Sequence, residues 1–257
     1  MANRHGAFVW YELLTTDVNA AAEFYGAVIG WRLRAATQLG TDYRQFGIGE
    51  TDVAGVMALP SGAADMGTRP IWHGYVGVDD VDASVARIKA AGGAVRMPAQ
   101  DIPGVGRFAM LADPQGALFY VMRGSVDGQS TSFSPDAVGR CGWNELYTSD
   151  PAAALRFYTS QFSWTKGDAM SMGDMGDYQF IHHGDTRIGA MMKGPTGGPR
   201  PVWNFYFRVA DIGAAARRIT AAGGQVLQGP VDVPGDDLIV AGLDPQGASF
   251  ALVGRKV

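Results

Sequence analysis

The sequence predicts an α+β protein built from four β-α-β-β-β units and organised as two similar domains. Three observations lead there. Asp-Pro-Gln-Gly-Ala occurs twice, in "LADPQGALFYV" from Leu111 and in "GLDPQGASFALV" from Gly242, with Asp113 and Asp244 131 residues apart. "YVGVDDVDASVARIKAAGG" answers "YFRVADIGAAARRITAAGG" at the same offset, Gly92 to Gly223. "WYELLTTDVNAAAEFYGAVIGW" answers "WNELYTSDPAAALRFYTSQFSW", with Asp17 and Asp150 133 apart. A steady offset along the chain marks a duplication. Within a half, Asp17 and Asp80 stand 63 residues apart, and each follows a β-like run and opens an Ala-rich segment. Each half is therefore divided once more, giving four units.

The elements follow in order. Each Asp suits a helix N-cap, since its carboxylate accepts the free N–H groups of the first turn and complements the helix dipole. Pro151 strengthens the reading at Asp150, because proline suits the first helical position. The Gly-Gly pairs at 92–93 and 223–224 supply the left-handed residue that ends a helix. The predicted helices are Val18 to Ile29, Val81 to Ala91, Pro151 to Phe162 and Ile212 to Ala222. Short strand-like runs come after each helix, among them "TDYRQFGIG", "VAGVMAL", "RFAML" and "LFYVM". Asp-Pro-Gln-Gly is read as a tight turn joining the last two strands of a half, with Pro fixing φ and Gly accepting positive φ. Its Asp is structural in this reading. "GSVDGQSTSFSPDAVGR" (124–140) is rich in Gly, Ser, Asp and Pro and reads as a linker between domains 1–123 and 141–257.

The totals bound the function. With 18% charged residues and a formal charge of −4, the chain lacks the basic face that nucleic acid or anionic membranes reward. Cys141 is the one cysteine, so no internal disulfide forms. No apolar run has signal-peptide or membrane-span character, and the expected location is cytoplasmic. "AAGGAV" follows a helix instead of opening one, so it is a helix cap and not a phosphate loop. No Cys-x-x-Cys motif and no Ser-His-Asp context stands out.

The paired units, the strand-Asp-helix-"FY" openings and the "DPQG" turns resemble the vicinal-oxygen-chelate superfamily, which includes glyoxalase I, bleomycin- and fosfomycin-resistance proteins and extradiol dioxygenases. The resemblance covers nearly all the chain outside the linker and termini. It implies that two units curl a mixed sheet into a cup with helices outside, and that the cup holds a metal on His, Gln or Glu side chains. Those ligand positions fall here on Trp10, Met57, His73 and Tyr120, and in the second half on Trp143, Met191, Asn204 and Ala251. His73 is the one good donor among them; indole and thioether groups do not hold a hard divalent ion. No metal and no other cofactor is therefore expected. Units of the family pair within a half, across halves or between chains, so a homodimer is compatible with the resemblance.

Strand alternation gives the remaining inward positions. If Trp10 faces the first cup, so do Glu12 and Leu14, while Leu13 and Thr15 face the helix; Tyr75 joins from His73, and Leu118 and Met122 join from Tyr120. The second cup receives Trp143, Glu145, Tyr147, Asn204, Tyr206 and Arg208. Both cups are thus aromatic-walled with one carboxylate, a lining that suits a planar or partly apolar small molecule. Glu12 and Glu145 are read either as structural carboxylates, Glu145 paired with Arg208, or as general bases, with Glu12 and His73 forming the acid/base pair. His182 and His183 are expected in an exposed hairpin turn, with an entrance-lining role as the alternative. The Met-rich run Asp168 to Phe180 is expected to form a long surface hairpin or a flap. Two functions compete: a protein that binds a small hydrophobic or aromatic organic molecule, and a metal-independent isomerase, lyase or hydrolase using Glu12 and His73. Metal-dependent glyoxalase or dioxygenase chemistry would require different strand registers.

Overall fold

The computed structural model describes residues 2–35, 42–63, 67–195 and 201–255. Thr41, which opens one of the predicted strand runs, lies outside them. The first half runs β1 (Phe8–Thr15), α1 (Val18–Ile29), β2 (Arg32–Ala35), β3 (Arg44–Ile48), β4 (Thr51–Ala58), β5 (Ile71–Gly77), α2 (Val81–Ala90), β6 (Ala94–Ile102), β7 (Gly106–Ala112) and β8 (Leu118–Gly124). The second half repeats the order as β9 (Cys141–Thr148), α3 (Pro151–Gln161), β10 (Trp164–Ser171), β11 (Asp177–His183), β12 (Thr186–Lys193), β13 (Val202–Val209), α4 (Ile212–Ala221), β14 (Gln225–Val233), β15 (Asp237–Leu243) and β16 (Ser249–Gly254). This is the predicted succession of four β-α-β-β-β units. Each half forms one eight-stranded mixed sheet, ordered β2-β3-β4-β1-β5-β8-β7-β6 and β10-β11-β12-β9-β13-β16-β15-β14.

The helices begin where the sequence places them. Asp17, Asp80, Asp150 and Asp211 each accept the N–H three residues on, at 2.9–3.0 Å. Such a cap is worth about 1 kcal/mol. In α1 the buried residues Val18, Ala21, Phe24, Tyr25, Val28 and Ile29 recur at helical spacing, so one face is committed to the core. In β1 and β9 the burial pattern is the same, with Trp10 and Leu14, or Trp143 and Tyr147, the partly exposed positions.

Compactness divides the chain differently from the sheets. One compact unit comprises Met1–Val9, Gly74–Ser130 and Asn144–Asn204; the other comprises Trp10–His73, Thr131–Trp143 and Phe205–Val257. Each unit therefore takes one β-α-β-β-β unit from each half, pairing α2 with α3 and α1 with α4.

A relay of three side chains, made once in each compact unit, links the halves. The Asp113 carboxylate accepts the N–H groups of Gln115 and Ala117, both at 2.9 Å, and holds the Asp-Pro-Gln-Gly turn. Gly116 completes that turn at φ +101°, a conformation glycine adopts without strain. The second oxygen of Asp113 accepts the Tyr158 hydroxyl of α3 at 3.2 Å, and that hydroxyl accepts the Trp203 indole N–H at 3.0 Å. The other unit repeats the device with Asp244, Tyr25 and Trp72, at 3.1 and 2.8 Å. So the "FY" tyrosine of one half caps the Asp-Pro-Gln-Gly turn of the other.

Candidate functional site

The relay also fixes the faces of the strands. Trp72 reaches the α1 tyrosine, so His73, its neighbour on β5, is on the face turned away from the helices. Trp203 and Asn204 are related in the same way through α3. Tyr11 and Leu13 are fully buried on the helix side of β1, which leaves Trp10, Glu12 and Leu14 on the opposite, inner face.

On the inner face of the first half, Glu12 is aligned with Gly55 of β4, and Leu14 with Met57. The Trp10 indole donates to the Tyr43 hydroxyl at 2.8 Å. Gly55 makes this arrangement possible: a Cβ there would overlap the Tyr43 hydroxyl and come within 3.1 Å of Trp10 Nε1. Tyr43 was not singled out in the sequence. The available hint was Gly55 itself, since a glycine inside a strand marks a close approach.

Glu12 is buried, as is His73 on β5, the strand beside β1. Burial pushes the His73 imidazole down to about 4, so it is a neutral ring at physiological pH. Farther along β5, Tyr75 stacks face to face on Tyr120 of β8, with centroids 4.2 Å apart and planes 3° from parallel. Phe108 is tilted against both rings.

The second half keeps part of this lining. Glu145 is buried and aligned with Ala190 of β12, and its carboxylate takes a hydrogen bond from Tyr147, whose phenol is held well above its usual range, first by burial and then by Glu145. Trp143 packs against a buried cluster of Tyr206, Ala251 and Val253, joined by Ile239 and Ala241. Asn204 stands where the first half has His73, and its amide nitrogen is buried without a hydrogen-bond partner among the described residues.

Three expectations are corrected. Arg208 does not pair with Glu145: its guanidinium holds Asp237 at 3.1 and 2.6 Å and the Pro135 carbonyl. Met191 is aligned with Leu146 and fully buried on the helix side; Met192, opposite Tyr147, takes the inner position, because one residue of register reverses the face. His182 and His183 are not in an exposed turn. They are half-buried at the end of β11, with His183 Nε2 2.9 Å from the His5 carbonyl. The Met-rich run is a surface hairpin of β10 and β11 around a short 3₁₀ turn at Gly173–Met175.

No helix among the described residues is long and apolar enough to cross a membrane.

The sequence profile of the Glyoxalase/Bleomycin resistance protein/Dioxygenase superfamily matches residues 7–121 and 138–252. Among curated relatives, the Mycobacterium tuberculosis protein named "Putative glyoxylase CFP32" is 35% identical over 252 residues, 97% of this chain and 95% of that protein. The anthracycline biosynthesis protein DnrV of Streptomyces peucetius is 36% identical over 264 residues, 96% and 93% of the two chains. In fold, the chain resembles a Mn(II)-bound glyoxalase from Novosphingobium aromaticivorans, with TM-score 0.65, 18% identity and coverage of 100% and 83%. Homoprotocatechuate 2,3-dioxygenase from B. fuscum gives TM-score 0.69 at 16% identity, covering 100% and 73%. With two tandem matches across nearly its whole length, the chain belongs to the glyoxalase/bleomycin resistance protein/dioxygenase superfamily.

Proposed function

We propose that this chain is a small-molecule-binding member of its family that works without a metal ion, and that the inner face of the first half holds a flat, largely apolar organic guest. The observation that carries the reading is the Trp10–Tyr43 pair seated over Gly55. It places an indole and a phenol, already hydrogen-bonded to each other, on the same face as the Glu12 carboxylate. Aromatic walls with a few polar anchors are the usual chemistry of an organic-ligand site.

The positions that the family resemblance assigns to metal donors do not fit a divalent ion. Trp10 presents an N–H donor, Met57 a thioether, and Tyr120 a ring committed to its stack on Tyr75. His73 alone offers an imidazole nitrogen. Among the described residues no group of three or more His, Cys, Asp or Glu side chains is arranged to hold a metal. Relatives named for anthracycline biosynthesis at 36% identity support a polycyclic aromatic guest.

A planar hydroxyanthraquinone titrated by tryptophan fluorescence into chelator-treated protein should bind, and be recovered unchanged after long incubation. Trp10→Ala should weaken it at least tenfold. Stoichiometric metal in the purified protein, or binding that needs added metal, would overturn the reading.

A second reading rests on the burial of Glu12 and of a neutral His73 on adjacent strands. With His73 held unprotonated, the imidazole acts as a proton acceptor or hydrogen-bond partner and not as a resting acid. Steady product formation, abolished separately by Glu12→Gln and His73→Ala in folded protein, would favour this enzyme reading over simple binding.

A further inference from the structure

The two halves differ at one corner of the inner face, and the strand registers allow a residue-by-residue comparison. Glu12 is aligned with Gly55, and Gly55 with Gln45. In the second half Glu145 is aligned with Ala190, and Ala190 with Phe180. Toward the hairpin end, Gly47 faces Asp52 in the first half, whereas His182 faces Arg187 in the second. Where one half carries a glycine and an acid, the other carries an imidazole and a guanidinium.

These side chains form an ordered group. The Arg187 guanidinium lies over the Phe180 ring, 4.2 Å from its centroid. Its Nε is 3.5 Å from His182 Nε2. The His182 ring in turn lies against Gly167 of β10, where a Cβ would come within 2.9 Å of its Cε1. Tyr178 meets Phe180 edge to face at 5.5 Å. Arg187 is exposed, and no carboxylate pairs with it among the described residues. Asp52, by contrast, is 3.4 Å from Arg34. The Glu145 carboxylate, on the neighbouring strand β9, is aligned with Ala190, three residues along β12 from Arg187, and takes the Tyr147 hydroxyl.

A guanidinium held over an aromatic ring loses rotational freedom, yet keeps N–H groups for a planar acceptor. An aromatic wall beside it contacts the body of a guest that carries such an acceptor. We propose that Arg187, His182 and the Tyr178–Phe180 wall form a second ligand site, for a flat aromatic molecule bearing a carboxylate. It is distinct in charge from the first-half site and independent of the reading given there.

Calorimetric titration of the full chain with 1-naphthoate and with its neutral counterpart 1-naphthalenemethanol tests this. Naphthoate should bind at least tenfold more tightly than the alcohol. Arg187→Glu should remove that preference, Arg187→Gln should reduce naphthoate affinity about tenfold, and both should leave the alcohol within twofold and the circular dichroism unchanged. Trp10→Ala should leave naphthoate binding intact, which separates this site from the first-half one. Naphthoate that does not bind, that binds no better than the alcohol, or that responds to Trp10→Ala and not to Arg187→Glu would overturn the proposal; the last outcome would leave the first-half site standing. Loss of hydroxyanthraquinone binding with Arg187-dependent naphthoate binding retained would do the reverse.

Discussion

Tyr158→Phe removes one oxygen from the relay that ties α3 to the Asp113 turn, and its cost can be worked from the geometry. The hydroxyl is donor to Asp113 Oδ2 at 3.2 Å and acceptor from Trp203 Nε1 at 3.0 Å. Burial, before any other cause, holds this phenol well above its usual range, so it keeps its proton and its donor role throughout the folded pH range. The substitution leaves two buried groups short of a partner, because Trp203 is 4% and Asp113 3% exposed. An orphaned buried indole N–H costs about 1–3 kcal/mol, and a lost bond to a carboxylate costs a similar amount. Asp113 keeps its two backbone N–H donors, which places the sum near the low end, about 3 kcal/mol. For a chain of this length that corresponds to a fall of roughly 6–12 °C in Tm. Urea unfolding and calorimetry of the purified variant give the number directly. Tyr25→Phe should cost the same within about 1 kcal/mol, and the double variant should be additive, since the two relays share no residue. A Tyr158→Phe protein within about 0.5 kcal/mol of the parent would refute the argument.

Three further outcomes follow from the structure. His73 has an unfolded value of 6.5 and a folded value of about 4, so stability is unaffected above pH 6.5 and falls as pH drops toward 4, because only the unfolded chain takes the proton. The loss is about 3 kcal/mol. His73→Asn, which installs the second half's residue, should abolish this increment when denaturation at pH 7.5 and 4.5 is compared, and an equal loss in both proteins would refute it. Gly55→Ala should push the Tyr43 hydroxyl off Trp10 at a cost of about 1 kcal/mol, since the group displaced is the far end of a half-buried side chain. It should change Trp10 fluorescence and weaken the aromatic guest at least tenfold; an unaltered spectrum would count against the Trp10–Tyr43 pairing. Cys141 is 1% exposed and its thiol is pushed up to about 12, chiefly by burial. Ellman's reagent should therefore label it only as fast as the fold opens, and prompt labelling of native protein would contradict that burial.

The fold was readable because its determinants are local. An aspartate that caps a helix, or a Pro-Gln-Gly that bends a turn, acts within four residues, and all four helices begin at the expected residue. The inner-face positions of β1 and β9 follow from alternation, whose period survives any long-range arrangement. What escaped was long-range or depended on a single step of register. Met191 and Met192 differ by one position, and the hydrophobic pattern "GAMMK" cannot say which faces inward. Nothing near Arg208 in sequence names Asp237, 29 residues on, as its partner. Tyr43 acquires its place only because a glycine on the next strand leaves room for its hydroxyl.

The reciprocal relays also explain where the halves are free to differ. Tyr25 needs the Asp244 turn and Tyr158 needs the Asp113 turn, so a change at either is felt by a residue of the other half, and the two Trp-Tyr-Asp sets are identical in kind. The inner-face positions lie outside these two relays. There His73 corresponds to Asn204, Tyr120 to Ala251, Gly55 to Ala190 and Asp52 to Arg187. A Tyr–Tyr stack with 4.2 Å between centroids in one half becomes Tyr206 beside Ala251 in the other. Strand geometry accommodates both sets, so backbone stability does not select between them; the shape and charge of a guest can. Differences on the inner faces, over a scaffold that repeats its caps, turns and relays, are what the two proposed sites require.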